Sequence, residues 1–150
     1  MNKPILASVF CFTALIFSSC DKNETPTPPP PSKTDYVAKS TWKFSSAKAN
    51  GTDVTSQIPA CFKDNTITFV ANGTGTISEG ANVCSPAAPA SFTWTFQSSE
   101  TQINLSTPLF TGGSGLFTIV SLSDVTLVVS QNMTIPPSTT PVNVEITFIH

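Results

Sequence analysis

From residue 41 to the C-terminus, apolar and polar positions alternate in short runs, and a period of two predicts β-strands rather than helices. The run 41–49 sets Trp42 and Phe44 on one face, 66–70 sets Ile67 and Phe69, and 91–97 sets Phe92, Trp94 and Phe96. Further runs at 74–78, 102–105, 115–122, 124–131 and 142–149 bring the expected strands to eight. In 115–122 both faces carry apolar residues, so alternation alone does not say which one turns inward. Gly, Pro, Asn and Ser interrupt the runs, and the pairs Asn50–Gly51 and Asn72–Gly73 suit the positive φ values of tight hairpins.

Eight consecutive strands joined largely by hairpin-length turns predict an all-β antiparallel meander. Closing it into an up-and-down barrel removes both unpaired edges, and eight strands is the size at which the interior just fills or holds one small ligand. Three longer connections, 52–64, 80–90 and 132–141, leave a two-sheet sandwich as the alternative.

The N-terminus follows a different pattern. Lys3, an apolar run at 5–17 and the small residues Ser18 and Ser19 read as an export signal over 1–19. The run is shorter than the roughly 20 residues that a spanning helix needs. Cys20 follows it, and the segment resembles the lipobox of bacterial lipoproteins. That resemblance implies a diacylglyceryl thioether on Cys20 and a membrane partner reached through lipid; the expected location is the bacterial cell envelope, at the outer membrane, with periplasmic and surface exposure both open. Residues 20–35 then form a polar tether containing TPTPPPPS, which favours an extended path of about 3.1 Å per residue. The domain is expected over 36–150.

Charge and cysteines narrow the function. Without Lys3 the chain keeps six lysines, no arginine and nine carboxylates, a formal charge of −3. Such a surface cannot assemble the cationic cluster that displaces phosphate counterions, so nucleic acid is excluded as a partner. Of four cysteines, Cys11 leaves with the signal and Cys20 is claimed by lipid, so Cys61 and Cys84 remain as a disulfide pair for an oxidising compartment. No CxxC spacing exists and the one histidine is the terminal His150, which argues against a metal or redox site and implies no cofactor.

The order TWKF, NGTDVTSQIPAC, TITFVANGTGTI, FTWTF, STPLFTGGSGLFTIVSL and VEITF resembles the lipocalin-like domain of exported Bacteroidetes lipoproteins. In lipocalins a Gly-x-Trp motif opens the first strand and its tryptophan closes one barrel end. The resemblance gives that part to Trp42, with Ser40 in the glycine's place. The disulfide then pins two long loops at one end, and the sequence leaves open whether that end is the mouth or the floor.

No catalytic residues stand out. Asp53, Asp64, Glu79, Glu100 and Asp124 lie in or beside turns, where carboxylates cap backbone groups, and Glu145 reads as a solvated charge guarding an edge strand. No base and orienting partner accompany the many hydroxyls, so an enzyme is not expected. The candidate ligand-binding residues are the aromatics Trp42, Phe44, Phe69, Phe92, Trp94, Phe96, Phe117 and Phe148, which serve equally well to fill a core. The expected function is binding a small apolar or amphipathic ligand in the barrel. The alternative is an accessory lipoprotein whose loops dock a protein or glycan. An enclosed cavity of about 300 Å³ or more favours the first, and a packed interior favours the second.

Overall fold

The computed structural model describes residues 27–135 and 138–150. The export signal, Cys20 and the tether as far as residue 26 lie outside the described residues. The strands are β1 (Thr41–Ala49), β2 (Thr52–Asp53), β3 (Thr66–Phe69), β4 (Thr74–Ser78), β5 (Ser91–Gln97), β6 (Gln102–Leu105), β7 (Leu116–Leu122), β8 (Thr126–Met133) and β9 (Val142–Ile149). Helix α1 (Lys33–Val37) precedes them, and a 3-10 turn, Thr55–Gln57, and helix α2 (Ala60–Lys63) lie between β2 and β3.

All pairings are antiparallel, the order follows the chain, and β1 pairs with β9 to close the sheet. Since β2 only folds back on the end of β1, the other eight strands form an up-and-down barrel. The sandwich alternative is therefore set aside, because the described strands make no crossover. Closure also changes the reading of Glu145. Strand β9 is not an edge, and Glu145 faces Lys48 on one side and Ser130 on the other.

The inward faces carry the large residues. Ile67 and Phe69, Phe92 and Trp94, Ile103 and Leu105, and Val144, Ile146 and Phe148 are all buried. Gly75 leaves its inward position to a neighbour, since a Cβ there would collide with the ring of Phe92. Two bulges adjust the alternation. An extra residue between Phe44 and Ser46 moves the inward set of β1 from Trp42 and Phe44 to Ala47 and Ala49. Another, between Ile119 and Ser121, answers the ambiguity of 115–122: Phe117 and Ile119 pack inward, then Leu122, while Val120 is exposed.

Two local readings change. Helix α1 begins within the stretch read as tether, because Ser32 and Asp35 form a capping box: Ser32 Oγ accepts from the Asp35 amide, and the Ser32 amide donates to Asp35 Oδ2. In the β3–β4 turn Gly73 has φ +87°, but Asn72 does not share it. The connection is four residues long, so Asn72 instead accepts from the Thr74 amide through Oδ1 at 3.0 Å. The β1–β2 turn does use both expected residues, with φ +48° at Asn50 and +84° at Gly51.

Because the strands alternate in direction, the two barrel ends differ. One end carries the short turns after β3, β5 and β7, together with α1 and the C-terminus. The other carries the long connections 50–65, 79–90, 106–115 and 134–141.

Candidate binding cleft at the barrel mouth

The end with short turns is sealed. Trp42 has no exposed surface, and its Nε1 donates to the Val37 carbonyl of α1 at 2.8 Å. The His150 ring lies against the indole with centroids 3.8 Å apart. Lys33 Nζ donates to the Glu100 carbonyl, which fastens α1 across the turn between β5 and β6.

The interior above this floor is packed. Phe69 meets Phe92 and Trp94 edge-on at 5.3 and 5.5 Å, and Trp94 meets Phe96 the same way at 5.3 Å. Trp94 Nε1 donates to the carbonyls of Val70 and Thr74, so its polar edge is satisfied. Phe117 and Phe148 are buried against this group, and Phe44 and Phe96 pack on it half-buried. The void among Trp42, Phe69, Phe117, Phe148 and their aliphatic neighbours is about 10 Å³. A single buried water needs about that much, so the interior holds no room for a ligand as it stands.

Space opens instead among the long loops. A cleft of about 500 Å³ lies at the mouth, floored by Ile58, Phe110, Met133 and Ile135, with Phe62 and the Cys61–Cys84 disulfide in its wall. A smaller hollow of about 220 Å³ lies on the other side of Phe62 and Phe110, under Pro86, Pro89 and Pro108. The two phenylalanine rings touch edge-on at 5.5 Å, and Phe110 also faces Phe148 at 6.5 Å. This pair plugs the top of the packed core. None of the eight aromatics singled out from the sequence lines the mouth cleft.

The loops around the cleft are held in place by local bonds. Cys61 and Cys84 join the 50–65 connection to the 79–90 connection, so the disulfide belongs to the mouth. Glu79 Oε1 accepts from the amides of Cys84 and Ala88, at 3.3 and 3.0 Å. Asp64 Oδ2 accepts from the Asn82 amide and side chain, both at 2.9 Å. These bonds hold the Asp64 carboxyl below the usual aspartate range, the Asn82 amide being the first cause. On the facing side Gln131, buried within β8, accepts from the Ser114 amide at 2.8 Å and draws down the 106–115 connection.

The residues missed from the sequence share one signal. Ile58, Phe62, Phe110 and Ile135 are apolar residues in connections, outside any alternating run, where surface loops ordinarily carry polar ones. Apolar side chains there mark loops that fold over something.

With this geometry in view, comparison with known families is informative. The lipocalin-like domain family matches residues 39–129, from just before β1 to the middle of β8. A search of curated proteins finds no match. The closed eight-stranded order, the buried tryptophan at the start of β1 and the match over most of the barrel agree, and the chain belongs to the lipocalin-like domain family.

Proposed function

We propose that this protein is a non-catalytic binding module, anchored by lipid on Cys20 in the outer membrane of a bacterial cell envelope, that holds a small apolar or amphipathic molecule at its barrel mouth. The observation that carries the reading is the apolar cleft of about 500 Å³ beside the disulfide, a volume within the ordinary range for small-molecule sites. The preformed loop bonds support it, because a site ordered before binding loses less freedom on binding. The carboxylates near the mouth support a role without catalysis. Asp64 and Glu79 receive N–H groups of the 79–90 connection, and the single histidine packs on Trp42 at the far end.

Anchoring rests on the sequence of the signal and of Cys20. The chain enters the domain through α1 at the sealed end, so a tether to lipid leaves the mouth on the far side from the anchor. The packed interior favours a second reading, docking of a partner through the loops. Of the two partner types, glycan is the less supported, since no described Phe, Tyr or Trp is exposed to stack on a sugar ring.

Native mass spectrometry of the protein extracted from its own host in mild detergent tests the proposal. The expected result is a chain beginning at a lipidated Cys20 and carrying a noncovalent adduct, with the adduct lost in Thr111→Trp. A chain without lipid overturns the anchor, and an adduct-free wild type overturns the ligand reading in favour of docking.

A further inference from the structure

We infer that the mouth cleft selects a compact, uncharged apolar molecule, such as a fused-ring hydrophobe, over a long-chain or ionised amphiphile. The inference rests on the mouth being the binding site.

Depth sets the shape. Phe110 is 5% exposed and lies between the cleft and the barrel, with Phe62 on one side and Phe148 on the other. Beneath it the void is about 10 Å³. An acyl chain therefore has no path downward and would have to lie folded in the mouth, losing rotamer freedom that a rigid ring system does not have to lose.

The lining sets the charge. Among the described residues, no charged side chain lines either the larger cleft or the smaller hollow beside it. Asp53, Asp64 and Glu79, the nearest carboxylates along the chain, are already taken by N–H groups. Lys63 ends α2 but is not part of the lining. The polar groups that do line the cleft, Gln57, Ser85, Thr111 and Thr134, are neutral. They suit a hydroxyl or carbonyl and offer no counterion. An ionised group pressed against Ile58, Met133 and Ile135 would lose its hydration without compensation.

Calorimetric titration tests both halves, using the mature chain with Cys20→Ser at neutral pH and three probes: adamantanol, adamantanecarboxylate and hexadecanoate. Adamantanol is expected to bind at least about tenfold tighter than adamantanecarboxylate, the scale on which an unpaired charge is penalised. Hexadecanoate is expected to bind more weakly than adamantanol. Equal or tighter binding of adamantanecarboxylate overturns the charge argument, and tighter binding of hexadecanoate overturns the shape argument, while the mouth stands as the site in both cases. Thr111→Trp, at an exposed position of the lining, is expected to abolish adamantanol binding. If binding survives that change, or if no probe binds, the mouth itself is overturned. Gln57→Lys, also at an exposed position, is expected to raise the affinity for adamantanecarboxylate relative to adamantanol, and an unchanged ratio counts against the charge argument.

Discussion

Asp64 illustrates how single side chains near the mouth are committed to structure. Its Oδ2 collects two bonds from Asn82, and its pKa is lowered first by the Asn82 amide. A carboxyl whose folded pKa lies below its unfolded value contributes stability above the unfolded pKa and loses that contribution as pH falls through the folded one. The hold on the 79–90 connection is thus complete at neutral pH and released in acid, below about pH 4. Hydrogen exchange at the Asn82 amide should accelerate beyond the intrinsic pH trend as acid is added. Asp64→Asn should exchange faster at neutral pH and lose that acid dependence, whereas an Asp64→Asn variant whose Asn82 amide exchanges with the wild-type rate and pH dependence would contradict this role.

Among the elements, the strands and the loops obey different rules, which decides what was legible in the sequence. All eight barrel strands were readable as short β-branched and aromatic runs between turn residues, although β7 showed no single apolar face and β8 lies two residues beyond the run expected at 124–131. The bulge in β1 was hidden, since Ser45 and Ser46 are both compatible with an outward position and only pairing with β9 counts the extra residue. Helix α1 was also missed. Its five residues carry no helical period, and the capping box at Ser32 and Asp35 was the only local signal. The disulfide was legible as a pair but its place was not, because the end of the barrel it occupies depends on strand direction. It links elements that otherwise meet mainly through loops, so its loss falls on the mouth. Replacing Cys61 and Cys84 by serine should lower unfolding stability by about 3 kcal/mol for a loop of this size. The barrel circular-dichroism signal should persist, with proteolysis newly admitted within 79–90. An unchanged urea midpoint would show that the loop bonds alone hold that wall.

At the scale of the whole molecule, the protein has one sealed end and one open end. Closure by Trp42, α1 and His150 at the floor and packing of the aromatics through the middle leave two open volumes among the described residues: a hollow of about 680 Å³ outside α1 that carries Asp35, Lys39 and Asp124, and the mouth, where the lining is apolar. The aromatic positions were legible as inward-facing, but whether they surround a cavity was not. Filling depends on ring orientations across strands, as in the contacts of Phe69 with Phe92 and Trp94. The cleft was less legible still, since it is assembled from four connections and the end of β8 that are far apart along the chain. Its location is the central claim, and chemical-shift mapping of the nitrogen-15-labelled protein with adamantanol addresses it most directly. The amides of Phe62, Phe110 and Ile135 should shift on titration while the indole signals of Trp42 and Trp94 stay fixed. Shifts at those two indoles with a silent mouth would return the ligand to the barrel interior and contradict the account.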